Sequence, residues 1–378
     1  MGHLLAALPL TASLDQAATD VQQAGEQLAR DPALVTLLQQ ARDRLAELLP
    51  DVAQDAFGMG VSTLTPRELL RQFELEVEHL GDPVPVSRQS SGIAQLSIFV
   101  FALQLAVAQE GTFLLIDEPE VSLHPHAQRA LMRHLRSLDS QAIVATHSSN
   151  LLDRADPRTI LRLKRSGGAV TAVSPATLTD DEARRLARHT SPQTAEAFFA
   201  RAVILVEGPS DQYALEALAD RRGRNLDADG ISVVPIGGAH TIGAYLSLLG
   251  PNGFDLPVGG LCDLAEEPVF AAALRRAGHV INSRADMEQL GFFVCDTDVE
   301  DELIRAIGTA DVVQLIDTAR DLGAFQALQQ QPSYRTASLD DQVGAFVRGR
   351  KIRYAPLLVD ALDLARVPAP LDGVLNSV

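Results

Sequence analysis

Acidic side chains follow three separate apolar segments in the carboxyl-terminal half of the sequence. The segments are 202–206, 256–262 and 291–295, and the carboxylates that follow them are Glu207, Asp211, Asp263, Glu266, Glu267, Asp298 and Glu300. If these segments are neighbouring parallel strands, their carboxyl ends meet in the crevice where open α/β sheets bind ligands. Carboxylates crowded in this way repel one another unless divalent cations neutralise them, and oxygen ligands favour Mg²⁺ or Mn²⁺. Two such ions about 4 Å apart support phosphodiester cleavage, so the pattern predicts a two-metal site rather than three sets of solvated loop residues.

A second group of chemically suited residues lies towards the amino terminus. It comprises Ser90 and Gly92 before a predicted helix, Asp117 and Glu118 after the apolar run 113–116, and His147 after the run 142–146. Two carboxylates at the end of a buried strand can hold Mg²⁺ and polarise water, as nucleoside triphosphatases require. The first N–H groups of a helix form an anion site, and a histidine can touch a γ-phosphate. Each feature is weak alone, but together they predict an ATPase-type nucleotide site.

The lysine-bearing loop of such a site is absent from the sequence. No Gly-x-x-x-x-Gly-Lys-[Ser/Thr] occurs, and the two lysines are Lys164 and Lys351. Without that loop nothing cradles the β-phosphate, so this chain alone is not expected to hydrolyse ATP. ATP is expected as a cofactor only if a partner chain, or a lobe missing from this sequence, supplies the P-loop.

Alternating apolar strands and amphipathic helices must position both groups of residues, which predicts an α/β fold. We expect a helical, dimerisation-type segment at 1–60, a partial ATPase domain at 61–178, a helical connector at 179–200, a second α/β domain at 201–308 and a helical segment at 309–378. The first segment is predicted to be a helical hairpin, with Ser13 and Gln16 as a capping box and Pro32 opening the second helix.

Composition narrows the class of protein. The 378 residues include 49 acidic and 32 basic ones, and the net charge of −17 argues against a protein that coats nucleic acid by charge alone. No apolar stretch is long enough to span a membrane, and two cysteines supply neither a disulfide framework nor a four-thiolate zinc site. We therefore expect a cytoplasmic protein with no membrane partner.

The order Ser-Ser-Gly, Asp-Glu-Pro, Ser-Leu-His-Pro and Thr-His-Ser resembles the carboxyl half of an ABC-type ATPase head. By that resemblance Ser90 and Gly92 belong to its signature loop, Asp117 and Glu118 to Walker B, and His147 to its switch. Ile93 departs from the Gln or Glu that usually follows the signature glycine.

The opening Leu-Val-Glu-Gly-x-x-Asp at 205–211 resembles the glutamate motif of the Toprim fold. Asp263 matches the first aspartate of its Asp-x-Asp motif, but Ala265 stands at the second, so Glu266 or Glu267 must replace it. An ABC-type head followed by Toprim, over about 75–365, is similar to the OLD (overcoming lysogenisation defect) family of ATP-dependent endonucleases, which Gabija-type defence nucleases also resemble.

The OLD resemblance implies the carboxyl half of an ABC-type head with an N-terminal helical hairpin, then a Toprim α/β domain with a parallel sheet flanked by helices, then C-terminal helices. It implies a DNA endonuclease or nickase that uses two Mg²⁺ or Mn²⁺ ions and dimerises through its head and N-terminal helices. The implied catalytic residues are Glu207, Asp263 and Lys351; the implied metal ligands are Glu207, Asp211, Asp263, Glu267, Asp298 and Glu300; and Arg350 and Arg353 are implied to contact phosphate.

Two other functions remain open from the sequence. A catalytically degenerate chain would regulate or complete a P-loop-bearing partner and cut nothing, which the missing P-loop and Ala265 motivate. A topoisomerase or primase relative would share only the Toprim fold, but the two cysteines and the four tyrosines lack the expected contexts. The basic run around Lys351 has its own simpler interpretation, a helix start packed on acidic neighbours.

Overall fold

The computed structural model describes residues 11–48, 57–61, 73–79, 82–107, 113–138, 140–175, 177–189 and 191–378. The chain divides into two units, Met1–Arg154 and Ala155–Val378, which we call unit 1 and unit 2. The elements of unit 1 are α1 Thr11–Ala29, α2 Pro32–Leu48, β1 Phe57–Val61, β2 Phe73–His79, β3 Asp82–Pro85, α3 Ser91–Val107, β4 Leu114–Asp117, α4 Pro125–Arg136, β5 Ala142–Ala145 and α5 Ser149–Leu152.

The helices α1 and α2 form the predicted hairpin. Pro32 opens α2, and the Asp31 carboxylate accepts the N–H of Ala33 at 2.8 Å, which satisfies one free donor of the first turn. The predicted capping box at Ser13 is wrong, because helical backbone already begins at Thr11 and Ser13 lies inside α1. The apolar stripe of α2, which includes Leu45, packs against Leu96 of α3, so unit 1 itself covers it.

The strands β4 and β5 of unit 1 pair in parallel, with Asp117 opposite Ala145. One face of this pair packs on Leu103 of α3 and on Leu131 and Leu135 of α4. Side chains alternate between the two faces of a strand, so this packing fixes which face each β4 side chain points to. It thereby positions Asp117 at the carboxyl end of β4. The strands β1, β2 and β3 form a separate antiparallel sheet.

Unit 2 is built around a four-stranded parallel sheet. Its elements are β6 Arg162–Ser166, β7 Ala169–Val173, α6 Asp180–His189, α7 Pro192–Glu196, β8 Ala202–Val206, α8 Pro209–Arg221, α9 Leu226–Asp229, β9 Ile231–Pro235, α10 Ile242–Leu249, β10 Val258–Cys262, α11 Glu267–Arg276, α12 Arg284–Gln289, β11 Phe292–Val294, α13 Val299–Ile307, α14 Thr309–Thr318, α15 Leu322–Gln329, α16 Leu339–Arg348, α17 Lys351–Ala361 and α18 Ala369–Asn376. No helix among the described residues is both long and apolar enough to cross a membrane.

The sheet order β11-β10-β8-β9 makes the three carboxylate-bearing strands neighbours, as the sequence predicts. All five residues of β8 are buried, which is typical of a parallel strand covered on both faces. One apolar cluster joins β8, α8 and the helices from α13 to α18, so these helices pack against the sheet and α8 in a common core.

The first strand of unit 2 begins at Arg162, after a short 3₁₀ turn at Pro157–Thr159. Proline fixes the first residue of that turn, and the Asp156 carboxylate accepts the N–H of Arg158 at 3.0 Å. The paired hairpin β6–β7 follows.

Candidate active site

Glu207 and Asp263 leave the carboxyl ends of β8 and β10, which are neighbours in the sheet. Oε1 of Glu207 accepts a hydrogen bond from the backbone N–H of Asp263 at 3.0 Å. Burial raises the pKa of Glu207, and the nearby Glu266 carboxylate raises it further, whereas the bond from Asp263 opposes the shift. The first two strand ends are therefore in direct contact.

The pKa of the Asp263 carboxyl group is raised well above its usual range. Burial, followed by the negative charges of Glu207 and Asp211, raises its pKa to about 8, and the Lys351 ammonium opposes this shift. A carboxyl group with a pKa of about 8 is mostly protonated at neutral pH, because burial and the neighbouring negative charges both disfavour its ionised form. This is the electrostatic condition that a bound divalent cation would relieve.

Asp211 lies in the first turn of α8 and is 8% exposed. Its Oδ2 accepts the N–H of Gly208 at 2.9 Å, which closes the turn between β8 and α8. Burial raises its pKa to about 6, and the charges of Glu300 and Glu207 contribute. Asp211 thus interacts electrostatically with acids from two different strand ends.

The third strand end supplies Asp298 and Glu300. Oδ1 of Asp298 accepts the N–H of Asp301 at 2.8 Å and caps α13, while Oδ2 lies 3.4 Å from Nζ of Lys351. Oε2 of Glu300 lies 2.9 Å from the same Nζ, and the Glu300 side chain is 0% exposed. Burial alone would lower the pKa of Lys351, but its bond to Glu300 and the charges of Asp298 and Asp263 raise it instead. Lys351 therefore keeps its ammonium charge at neutral pH.

Glu267 is held away from this group. Its Oε2 lies 2.8 Å from the Arg284 guanidinium, which also lies 3.5 Å from Asp296. Glu266 instead acts on Glu207 through its charge. Of the two glutamates that the sequence offers in place of the missing aspartate, Glu266 is the one electrostatically coupled to the carboxylate group.

Arg350 and Arg353 have partners outside the carboxylates. The guanidinium carbon of Arg350 lies 4.0 Å from the centroid of the Phe346 ring, a cation–π contact. Arg353 lies 2.9 Å from Oδ2 of Asp321, which also accepts the Tyr354 hydroxyl at 2.9 Å. The basic run at the start of α17 is thus mostly engaged in packing this helix, and Lys351 is its member that reaches the strand ends.

The donor set of the strand ends suits a hard cation in its chemistry. It consists of carboxylate oxygens, and Oε1 of the buried Glu300 has no hydrogen-bond partner among the described residues. Within the same residues, no three His, Cys, Asp or Glu side chains already have the spacing of a metal cage. The Lys351 ammonium neutralises Asp298 and Glu300 in this arrangement. To bind a metal ion, the carboxylates would have to move closer together.

In unit 1 the ATPase-type residues also meet. Nε2 of His147 lies 3.4 Å from Oε1 of Glu118, which joins the ends of β5 and β4. A carboxylate that the sequence did not single out links them: Oε1 of Glu120 accepts the Thr146 hydroxyl at 2.6 Å and the His147 N–H at 2.9 Å. The signal for Glu120 was its position two residues after the strand-end pair.

Gly92 explains how the start of α3 approaches the loop after β4. A Cβ atom at Gly92 would lie 2.5 Å from the carbonyl oxygen of Ser122, closer than real Cβ contacts. The hydroxyls of Ser91 and Ser122 are 3.0 Å apart. The carbonyl of Ser90 accepts the N–H of Ala94 and so begins the helix. Glycine is therefore required for this close approach.

Comparison with known families identifies both domains. Residues 6–153 match the family described as "AAA domain, putative AbiEii toxin, Type IV TA system". Residues 198–264 match the "Overcoming lysogenization defect protein-like, TOPRIM domain" family. The chain is thus an α/β protein in which an AAA-type ATPase domain precedes a TOPRIM domain, and that TOPRIM domain is of the OLD type.

Individual relatives agree with these matches. The uncharacterized protein YbjD of Escherichia coli K12 is 33% identical over 123 residues, 32% of this chain and 22% of YbjD. The Old nuclease of Escherichia phage P2 is 24% identical over 246 residues, 58% of this chain and 41% of that nuclease. The C-terminal region of the Burkholderia pseudomallei OLD protein has a TM-score of 0.39 and 24% identity, covering 47% of this chain and 97% of that structure. The chain therefore spans less than half the length of these two curated relatives.

Proposed function

We propose that this chain cleaves DNA phosphodiester bonds as a metal-dependent endonuclease or nickase, with two Mg²⁺ or Mn²⁺ ions at the strand ends of unit 2. The observation that supports this most is the crowding of acids from three neighbouring strand ends around one lysine. It raises the pKa of Asp263 to about 8 through burial and the charges of Glu207 and Asp211. The OLD-like TOPRIM match over residues 198–264, which include Glu207, Asp211 and Asp263, supports the nuclease assignment.

The proposed metal ligands come from all three strand ends. They are Glu207, Asp211, Asp263, Asp298 and Glu300, with Glu266 rather than Glu267 in place of the missing second aspartate. Bound ions would supply Lewis-acid activation of water and of the leaving oxygen. Glu207, whose pKa burial already raises, is suited to accept or return a proton at its carboxylate. The permanently charged Lys351 would stabilise negative charge on the scissile phosphate.

The ATPase-type domain is proposed to form part of a nucleotide site with a P-loop that another lobe or chain supplies. The contact between Glu118 and His147 supports this, because a water-polarising carboxylate and a phosphate-touching histidine then face the same place. A homodimer through the ATPase domain and the N-terminal helices is the proposed assembly. Binding of ATP by a mixture with a P-loop-bearing chain, measured against each component alone, tests this part.

Nicking of supercoiled plasmid DNA in Mn²⁺ tests the nuclease proposal. Glu207→Ala and Asp263→Ala should each abolish nicking, because each removes a proposed metal ligand. Asp263→Ala keeps the backbone N–H that donates to Glu207, so it removes the carboxylate without breaking that bond. Glu288→Ala is the matched control, since Glu288 is an exposed acid on α12 of the same unit. Equal nicking by the wild type and both site variants would refute the site. Absence of cleavage by the metal-loaded wild type, combined with ATP-dependent binding of a P-loop-bearing chain, would favour the regulatory alternative.

A further inference from the structure

Unit 1 contains a cavity of about 340 Å³ beside α4 that none of the ATPase-type residues lines. Its polar wall consists of Glu47, His126, Arg129, Arg133 and Arg154. The volume lies within the roughly 300–1,000 Å³ typical of small-ligand sites. Three guanidinium groups against one carboxylate make this wall cationic in a chain whose net charge is −17.

Two of the arginines are positioned by the fold and not by a carboxylate. Arg129 and Arg133 are four residues apart on α4, so they lie on the same face one turn apart. Nη1 of Arg129 donates to Oδ1 of Asn150 at 2.8 Å, and Nη2 lies 3.1 Å from Nδ1 of His126. A neutral His126 that accepts at Nδ1 carries its proton on Nε2, which gives the wall a further donor.

Arg133 is the arginine without compensation. Among the described residues it makes no ion pair or hydrogen bond, whereas Arg154 lies 3.2 Å from Asp153. The unpaired guanidinium of Arg133, beside those of Arg129 and Arg154 in one concave wall, matches the oxygens of a phosphate group, which arginine binds in forked pairs. In the part of unit 1 that the structure describes, no carboxylate pairs with Arg133, so the cavity carries donors suited to an added anion.

Glu47 limits the kind of anion. Its carboxylate lies in the same wall, 3.6 Å from Arg44, and would repel a ligand that is negative along its whole length. A continuous nucleic-acid backbone also requires a stripe of positive charge rather than one cavity. A compact ligand with one phosphorylated end and one hydroxyl or amino donor satisfies both the arginines and Glu47.

We propose that this cavity binds a phosphorylated small molecule of nucleotide size, with its phosphates at Arg129, Arg133 and Arg154 and a hydroxyl or amino group donating to Glu47. The site is separate from the carboxylates of unit 2 and does not depend on the nuclease proposal. It is also separate from Asp117, Glu118 and His147.

Isothermal titration of the full chain with ADP, in EDTA, tests this proposal. Chelation removes divalent ions, so no metal can bridge the diphosphate to the carboxylates of unit 2. The wild type should bind ADP saturably, and Arg133→Ala should weaken binding by at least about tenfold, as expected for loss of charge-assisted bonds. Arg188→Ala, which removes an exposed arginine from α6 of unit 2, should leave the affinity unchanged. Absence of saturable binding, or equal binding by Arg133→Ala, would overturn the proposal.

The variant Glu47→Gln separates a nucleotide site from a simple anion site. Removing a negative charge should strengthen binding of pyrophosphate, which has no donor for Glu47, but should weaken binding of ADP or leave it unchanged. Equal strengthening for both ligands would show that Glu47 makes no bond to the nucleoside part and would overturn that assignment. Tighter, Arg133-dependent binding of a 5′-phosphorylated single-stranded oligodeoxynucleotide than of ADP would overturn the small-ligand proposal in favour of a DNA end. Circular dichroism checks that each variant is folded.

Discussion

The backbone N–H of Asp263 donates a 3.0 Å hydrogen bond to the side chain of Glu207, so the end of β10 is tied to the carboxylate that follows β8. This bond stabilises the ionised form of Glu207 while it holds a second acid beside it. Burial, followed by the charges of Glu207 and Asp211, keeps Asp263 protonated to a higher pH than an isolated aspartate, with a pKa of about 8. At neutral pH the proximity of Glu207 and Asp263 is electrostatically unfavourable, and a bound cation would relieve this repulsion.

The first prediction concerns stability against pH without metal. Because the pKa of Asp263 rises from 3.8 to about 8 on folding, its contribution is fully present below about pH 4 and is lost as the pH rises towards 8. Asp263→Asn abolishes this loss, so its melting temperature relative to the wild type should increase over that range in EDTA. Asp286→Asn is the control: hydrogen bonds from Asn282 and Ser283 lower the pKa of Asp286, so its contribution changes only below about pH 4 and its melting-temperature difference from the wild type should stay constant from about pH 4 to 8. A difference for Asp263→Asn that does not change with pH would contradict the prediction.

The second prediction concerns the two lysines. Lys351→Ala leaves the fully buried Glu300 carboxylate without its ion pair, which should cost about 3 kcal/mol of unfolding free energy. Lys164→Ala is the matched control, because its pair with Asp255 is exposed and should cost less than about 1 kcal/mol. Urea unfolding in EDTA measures both.

A double variant isolates the cause of the Lys351 effect. Glu300→Gln removes the buried charge, so Lys351→Ala combined with Glu300→Gln should be more stable than Lys351→Ala alone. Equal stability of the single and double variants would mean that Lys351 acts through packing of α17 and not through charge.

Regular elements and their terminal acids were predictable because their signals are local. The strand 202–206 has the predicted bounds, since it is an apolar run bounded by polar residues. Glu207 and Asp263 were also predictable as site residues, because each follows a strand and the carboxyl ends of parallel strands lie at one edge of the sheet. A local pattern also led to the wrong prediction of Ser13 as a helix cap, because α1 already includes Thr11 and Ser13 lies inside it.

Side-chain pairings between distant segments were not predictable. The bond from His147 to Glu120 spans 27 positions, and the pair of Arg284 with Glu267 depends on how α12 packs beside β11. Neither sequence separation recurs along the chain, so no periodic pattern in the sequence predicts these two contacts. The sequence therefore left the choice between Glu266 and Glu267 open, and the Arg284 contact supports the proposal of Glu266.

The third prediction concerns that choice. Glu266→Gln should weaken Mn²⁺ binding, because Glu266 acts on Glu207, whereas Glu267→Gln should change it little, because Arg284 already neutralises Glu267. Calorimetric titration with Mn²⁺ in the absence of DNA measures this independently of cleavage. Loss of Mn²⁺ binding in Glu267→Gln with retention in Glu266→Gln would reverse the assignment.

The fourth prediction concerns the close approach at Gly92. A Cβ atom there would lie 2.5 Å from the Ser122 carbonyl oxygen, and since a backbone oxygen cannot rotate away, Gly92→Ala should cost about 1–3 kcal/mol of unfolding free energy. Gly323→Ala is the control: Gly323 is also helical, but its added Cβ meets nothing within 4 Å, so the change should stabilise by about 0.5–1 kcal/mol. Unfolding in urea followed by circular dichroism measures both variants. If Gly92→Ala is as stable as the wild type, the start of α3 and the loop after β4 do not approach as closely as described, and the signature-type serines lose their positioning partner.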